Sequence, residues 1–292
     1  MDLTLVIPAY NEEAALETFL PEVISFCRKN GFCAIFVDDR STDGTLALLR
    51  KAEKTNDFLK VIHHKVNHGY GGALITGLSA VETEFAVTLD ADGQHRLEDI
   101  LTLVKKQEET DSDMVIGCRG NDSGGGSGWY RALGKKVIRF IANMMVPLNV
   151  TDINSGMKLY NTALVQKYLP LCPDGMAFSE VIVMIFLKQK HLVTEAPILV
   201  AARKGGSSTI STRTAFNTVA QIMVIVMVLA PMRIFAPIGI ISFLAGFLWA
   251  IPFLIKGNGL SNASLFAMVL GILTILLGLI ADQLAQLWKK GL

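Results

Sequence analysis

The sequence predicts an α/β domain built on a mostly parallel sheet, followed by a nearly uncharged helical tail. Two observations predict this. Short apolar runs alternate with amphipathic stretches over roughly the first 120 residues. Charge is distributed very unevenly: of 53 Lys, Arg, Asp and Glu residues only Arg233, Lys256, Asp282, Lys289 and Lys290 follow Thr214.

Each element can be justified in order. Leu3–Ile7 is a short apolar run ending at Pro8, the pattern of a buried strand. From Glu12 to Arg28, Ala15, Leu16, Phe19, Leu20, Val23, Ile24 and Cys27 recur at helical spacing. Ala34–Val37 is the next strand, and Thr42–Lys54 the next helix, with Ser41 or Thr42 as its cap. Leu59–Ile62, Phe85–Leu89 and Met114–Gly117 continue the strands; Gly72–Val81 and Leu97–Glu109 continue the helices. Such alternation calls for a parallel sheet with helices on both faces. Asn121–Gly128 (NDSGGGSG) is a flexible loop by composition.

The tail sets the location. Ile234–Ile255 is 22 residues without a charge. At 1.5 Å rise per residue it reaches about 33 Å, enough for a hydrocarbon core of about 30 Å. Gly257–Ala281 is uncharged as well, and a short polar turn from Lys256 to Asn262 joins the two runs. This predicts a transmembrane hairpin, with spans near 234–255 and 264–284. Arg203, Lys204, Arg213 and Arg233 precede the first span and Lys289 and Lys290 follow the second, against Lys256 alone in the turn. The positive-inside rule then puts the globular domain and both termini in the cytoplasm. Trp249 and Trp288 are suited to anchor at the interface. Ala215–Ala230 is too short to span and reads as an amphipathic helix at the membrane surface. The expected organisation is a catalytic domain at 1–212, a juxtamembrane helix at 213–231 and a hairpin at 232–292, multi-pass in the cytoplasmic (inner) membrane.

A net charge of +1 argues against a nucleic-acid binder. Cys27, Cys33, Cys118 and Cys172 form no metal-ligand spacing and read as reduced thiols. The start shows no positively charged leader before a hydrophobic stretch, which predicts no cleavable signal peptide.

Function is predicted where the strands end, because ligands of open α/β sheets bind beyond the carboxyl ends of the strands. Strand one runs into Pro8-Ala-Tyr-Asn-Glu12, strand two into Asp38-Asp39, strand three towards Asn67-His-Gly-Tyr-Gly71, strand four into Asp90-Ala-Asp-Gly-Gln94 and strand five into Arg119. Any one of these could be a turn; five at one edge indicate a site. In extended chain Asp90 and Asp92 would point to the same side and repel unless a cation lay between them. Oxygen ligands of this kind suit Mg²⁺ or Mn²⁺, with Gln94 as a neutral neighbour.

PAYNE, the paired aspartates, NxGxGxA, DADGQH and the distal arginines resemble a family-2 glycosyltransferase of the GT-A fold. Together with the C-terminal hairpin they resemble the polyprenyl-phosphate sugar synthases, the group of dolichyl-phosphate mannose synthase and the bacterial undecaprenyl-phosphate glucosyltransferases. The motifs cover about residues 3–209. The resemblance implies inverting transfer of a hexose from a nucleotide-sugar, of GDP-mannose or UDP-glucose type, to a membrane polyprenyl phosphate. It implies that Pro8, Tyr10, Glu12, Asp39, Asn67, Gly71 and Asp90 bind the donor, and that Asp90, Asp92 and Gln94 hold the metal on the diphosphate. Arg119 and Arg131 would face the acceptor phosphate or the diphosphate. Asp152, Ser155 and Lys158 match a D-x-x-[ST]-G-x-[RK] stretch in the acceptor half. Arg203, Gly206 and Ser208 match R-x-x-G-x-S; Thr209 stands where the family often has Lys. Asp92, Arg119, Arg131 and Arg203 are thus the expected catalytic set. A lipid monophosphate is already anionic, so no strong general base is required, and His95 near the metal motif would position rather than catalyse. The family's acidic residue after Gly-x-x-Phe falls near Glu180. Self-association is compatible with this architecture.

Three other readings remain at this point. A processive polysaccharide synthase would carry a [QR]xxRW motif, and Gln283–Trp288 lacks the Arg. A catalytically inactive membrane scaffold of the same fold would be expected to have lost Asp90, Asp92 or Gln94. A transferase acting on a soluble or glycolipid acceptor would not need the Asp152–Lys158 and Arg203 stretches. Arg119 also has a plain alternative, a pair with Asp113.

Overall fold

The computed structural model describes residues 1–119, 150–199, 230–257 and 259–290. The chain divides into two compact units, 1–221 and 222–292. Arg131, Arg203, Lys204, Gly206, Ser208, Thr209, the 121–128 loop and residues 213–229 of the expected 213–231 helix lie outside the described residues.

The first unit is a seven-stranded sheet in the order β3-β2-β1-β4-β6-β5-β7. The strands are β1 (Leu3–Ala9), β2 (Cys33–Asp38), β3 (Leu59–His63), β4 (Phe85–Thr88), β5 (Met114–Arg119), β6 (Lys158–Asn161) and β7 (Val193–Ile198). Helices α1 (Glu13–Asn30), α2 (Thr45–Glu53), α3 (Gly69–Ser79), α4 (Glu98–Thr110), α5 (Thr162–Tyr168) and α6 (Phe178–Lys188) connect them. All pairings are parallel except those of β6, which runs antiparallel to both β4 and β5.

Both faces of the sheet are covered, as the unbroken apolar runs require. On one face Leu3, Leu5 and Ile7 join Leu16, Phe19, Leu20 and Val23 of α1 and Leu97, Ile100 and Leu103 of α4 in one core. On the other, α3 lies so close that a Cβ on Gly77 would stand 2.4 Å from Val6 and 3.0 Å from Val37. The expected strands and helices are present, with shifted ends. α3 starts at Gly69, three residues earlier than the apolar spacing suggested. Neither Ser41 nor Thr42 caps α2; the Asp43 carboxylate accepts from the Thr45 N–H instead (3.0 Å). The four cysteines are free thiols.

The second unit is a helical hairpin of α7 (Met232–Ile255) and α8 (Asn262–Lys290). Both helices are long and apolar enough to cross a membrane. Small residues let them touch backbone to backbone: a Cβ on Gly271 would stand 2.6 Å from the Gly239 carbonyl oxygen, and Ser242 Oγ donates to the Ala267 carbonyl at 2.9 Å. Large side chains such as Ile241, Leu248 and Trp249 are left on the outside, the distribution expected where the solvent is lipid.

Candidate functional site

Strand register gathers the polar residues at one sheet edge. Ala9, Asp38 and His63 are successive partners across β1, β2 and β3. β4 stops at Thr88, beside Val6, three residues short of the end of β1. That shorter strand leaves a recess floored by the Leu89–Gln94 segment. β6 completes it. Being antiparallel, it begins where its neighbours end: Lys158, its first residue, is the partner of both Thr88 and Ile116. The Asp152–Met157 segment is thereby delivered to the edge where β4 and β5 terminate.

On the β1 side two loops are stapled together. Asn11 adopts a left-handed backbone (φ 54°), and its side-chain oxygen accepts from the Thr42 N–H at 2.8 Å. Glu13 accepts from Gly44 N–H (2.8 Å), and the Glu12 N–H donates to Thr45 Oγ1 (3.0 Å). Tyr10 is half exposed on this rim.

Asp39 is buried at the start of α3, where unsatisfied N–H groups favour an anion. It accepts from the His68 and Gly69 N–H groups, both at 2.8 Å, and pairs with His64 Nδ1 at 2.8 Å. His64 Nε2 reaches Thr76 Oγ1 at 2.9 Å, and Asn67 donates to the Asp39 carbonyl at 3.0 Å. Asp38 pairs with His63 Nδ1 at 2.7 Å and keeps a buried second oxygen without a partner. Gly71 is pressed against the 173–175 loop; a Cβ there would stand 2.3 Å from the Pro173 carbonyl oxygen.

Asp90 follows β4. Tyr70 donates to its Oδ1 at 2.9 Å, and His95 Nε2 lies 3.6 Å from Oδ2. Burial opposes its ionisation, but His95, Tyr70 and Lys158 outweigh it and hold the carboxyl below the usual carboxylate range. Asp92 does not stand two residues further along extended chain, as the spacing suggested: the chain turns at Ala91-Asp92, and Asp92 Oδ1 accepts from the Gln94 N–H at 3.0 Å. Gly156 lies directly over Asp90; a Cβ there would stand 2.5 Å from Oδ2.

Arg119 does not pair with Asp113, which instead faces His191 at 3.3 Å. It grips Asp152 bidentately, Nε to Oδ2 at 2.7 Å and Nη2 to Oδ1 at 2.9 Å. The hydrogen bond to Asp152 raises the Arg119 pKa further; burial works against the Asp152 charge but Arg119 overrides it and lowers its pKa.

Two further ionisable groups, Lys158 and Glu180, are buried nearby. Lys158 is fully buried and donates to the Ser155 carbonyl. Desolvation pushes it down to about 8, against the opposing pull of Glu180, Asp152 and Asp90. Desolvation pushes Glu180 up to about 7, partly offset by Lys158. With its amide turned to suit, Asn154 donates to both Glu180 carboxylate oxygens.

Among the described residues no group of three metal-ligating side chains occurs. The carboxylates of Asp90 and Asp92 are the donor type that suits a hard divalent cation, and Tyr70 fixes Asp90. Mg²⁺ commonly takes one or two protein carboxylates and completes its shell with phosphate oxygens and water.

Residues 4–169 match the model of Glycosyl transferase family 2, more than half of the chain. The chain belongs to glycosyl transferase family 2. It is a glycosyltransferase, and residues 230–287 match the GtrB C-terminal hairpin, as the resemblance of motifs and tail implied. Among curated relatives, the undecaprenyl-phosphate 4-deoxy-4-formamido-L-arabinose transferase of Serratia proteamaculans is 25% identical over 299 residues, covering 98% of this chain and 89% of its own. That of Pseudomonas paraeruginosa is 28% identical over 303 residues, covering 98% and 86%. Among solved structures, glucosyl-3-phosphoglycerate synthase from Mycobacterium tuberculosis in complex with phosphoglyceric acid superposes with a TM-score of 0.61 at 17% identity, covering 77% of this chain and 79% of that one. The same enzyme in complex with Mn²⁺, UDP-glucose and phosphoglyceric acid gives 0.59 at 17% identity, with the same coverage. These likenesses establish the α/β GT-A-like fold.

Of the sequence-predicted residues, the fold brings Asp90, Arg119, Asp152 and Lys158 within electrostatic reach of one another, with Ser155 bonded to Lys158. Asp92 and Gln94 follow in the turn after Asp90, and Gln94 lines a cavity against Pro21, Glu22, Ser25 and Phe26 of α1. Pro8, Tyr10, Glu12, Asp39, Asn67 and Gly71 lie at the β1–β3 end. Sequence reasoning passed over Tyr70, Asn154 and Gly156. Tyr70 and Gly156 stood inside quoted motifs, but nothing local marked them as neighbours of Asp90.

Proposed function

We propose that this transferase moves a sugar from a nucleotide-sugar to a polyprenyl phosphate at the membrane surface, inverting the anomeric centre. The single observation that carries the reading is the juxtaposition of Asp90 with the Arg119–Asp152 pair and Lys158 at one sheet edge, in a chain whose tail is a membrane-length hairpin. The names of the relatives, which act on undecaprenyl phosphate, support the acceptor.

In this reading Pro8, Tyr10, Glu12, Asp39, Asn67 and Gly71 border the nucleoside. Asp90, Asp92 and Gln94 hold Mg²⁺ or Mn²⁺ against the donor diphosphate. The cation, once bound, neutralises charge that builds on the leaving phosphate. Tyr70 keeps Asp90 oriented, and His95 together with buried Lys158 keeps it ionised. Arg119, aligned by Asp152, takes a phosphate oxygen; Arg131, Arg203 and Ser208 are assigned to the same phosphates by motif. An acceptor phosphate oxygen attacks the anomeric carbon as the bond from that carbon to the β-phosphate oxygen breaks. The electron pair leaves with the nucleoside diphosphate. The acceptor is already ionised, so no proton has to be removed. The hairpin inserts with the 1–212 domain and both termini on the cytoplasmic face, and a 213–231 helix lies at the interface.

A donor screen tests the reading. Full-length protein in detergent is mixed with undecaprenyl phosphate, Mg²⁺ or Mn²⁺ and a panel of GDP- and UDP-hexoses plus nucleotide-linked 4-deoxy-4-formamido-L-arabinose, and the lipid product is weighed. One metal-dependent glycolipid is expected. Transfer only to a soluble acceptor, or none from a folded protein, would refute it.

A further inference from the structure

Glu195, in the middle of β7, belongs to no motif discussed above, and its carboxylate takes an unusual number of donors. Oε1 accepts from the Thr151 N–H at 2.6 Å, the Asp152 N–H at 3.0 Å and Thr151 Oγ1 at 3.0 Å; Oε2 lies 2.9 Å from Thr151 Oγ1. Successive N–H groups turned towards one point form a concavity suited to an anion, and here the chain fills it with its own carboxylate. The turn so held is the one that presents Asp152. Asp152 in turn receives the Arg119 guanidinium through two bonds and the Arg119 N–H at 3.2 Å. The geometry is closed by the sheet itself: β7 pairs with β5, placing Glu195 beside Ile116 and Ile198 beside Arg119.

We propose that Glu195 is a positioning residue that acts through Asp152 to aim Arg119 at the phosphate of the acceptor. This rests on the acceptor assignment made above. Asp152 has two tasks, to neutralise and to orient Arg119, and it can orient only if its own backbone is fixed. Thr151-Asp152 begins the stretch leading into β6, and it is tied across the chain to Arg119 and Cys118 on β5 and to Glu195 on β7. Removing Glu195 leaves the Arg119–Asp152 attraction intact but frees the turn that carries it. The pair then keeps its charge and loses its direction, and misplacement on the ångström scale is costly in an oriented reaction.

The test uses the full chain in detergent with the donor returned by the screen. E195A is expected to raise the apparent KM for undecaprenyl phosphate about tenfold, and to leave the donor KM within about twofold, a split that general loosening of the fold would not produce. E195Q keeps one oxygen for the two N–H groups and should restore acceptor KM close to the unsubstituted value. On a D152A background E195A should add nothing further, because the effect passes through Asp152. Phenylglyoxal labelling of Arg119, read by mass spectrometry, should be faster in E195A and unchanged in E195Q. If E195A fails to fold, Thr151→Val removes the hydroxyl that meets Glu195 and Cys118 Sγ but keeps both N–H donors, and should raise acceptor KM in the same direction. Unchanged acceptor KM and unchanged labelling would overturn the relay, as would a donor KM that rises as much as the acceptor's. Should the unsubstituted chain form no glycolipid, the transfer reading fails by itself, and the labelling comparison still decides whether Glu195 aims Arg119.

Discussion

Gly156→Ala adds one methyl group at the centre of the recess. The new Cβ would stand 2.5 Å from Asp90 Oδ2 and 3.0 Å from its Cγ. Carbon and oxygen settle at roughly 3.5 Å, so something must move by close to 1 Å. Gly156 cannot retreat easily: its carbonyl accepts from Thr88 Oγ1 at 2.9 Å, and the next carbonyl, that of Met157, accepts from the Gly117 N–H at 2.9 Å. Asp90 is the softer partner, yet swinging it away strains the Tyr70 bond. A shift of about 1 Å in a positioned group costs on the order of 10²-fold in rate, which is about 2.7 kcal/mol of transition-state stabilisation. The fold should suffer less, about 1–3 kcal/mol for one overpacked methyl. The assay is initial-rate transfer to undecaprenyl phosphate across a divalent-cation titration, beside thermal unfolding of the same preparation. Both a lower kcat and a higher cation requirement are expected. A variant that unfolds normally and turns over within twofold of the unsubstituted chain would refute the claim that Asp90 must stay where Gly156 leaves it.

Other consequences can be measured directly. Asp152 has a pKa held below the ordinary 3.8 by Arg119, so its contribution to stability is present above that value and lost as pH falls through the folded-state pKa; Asp152→Asn should show a shallower acid decline in thermal midpoint than the unsubstituted chain. Lys158→Met removes the positive charge that offsets desolvation of Glu180, so Glu180 should titrate above its present value of about 7 and the stability of the variant relative to the unsubstituted chain should fall between pH 6 and pH 8, as read by chemical unfolding at both. Gly271→Leu in α8 would collide with the Gly239 backbone and Phe243, and should lower the yield of detergent-stable protein while soluble-domain spectroscopic signals persist. Asp92→Ala should abolish transfer without altering membrane insertion, measured by glycolipid formation and by membrane fractionation.

Legibility followed the range of the interactions. Strands one to five, their helices and the hairpin were readable because each is a local pattern: an apolar run bounded by turns, or a charge-free stretch of membrane length. The edge at which the candidate site lies was readable because a parallel sheet leaves its loops in one place. β6 was not, since Lys158–Asn161 is four residues long and gains its identity only from partners in β4 and β5. Lys158 shows the same limit: its sequence suggests a phosphate-facing cation, whereas the fold buries it opposite Glu180 on a helix with no local sign of a charge pair. The extended-chain argument for Asp90 and Asp92 does not describe their geometry, because the strand has already ended at Thr88 and the chain turns at Ala91-Asp92. Glu195 carried no signal, as its partners lie more than 40 residues away.

The reversed strand at the heart of the sheet has a consequence for the order in which the domain can be made. β1 to β4 meet through connections of ordinary length, and everything assigned to the nucleoside and the metal is present once residue 95 has been synthesised. The other half waits for β6, whose neighbours begin about 70 and 40 residues earlier in the chain; closing such loops is the slow part of forming a sheet. The domain can therefore hold the first half of its recess while the second is still open. The two halves then lock together at more than that strand, since the Gly72 N–H donates to the Asp174 carbonyl at 2.9 Å and Gln166 donates to the Leu78 and Val81 carbonyls, both at 2.9 Å.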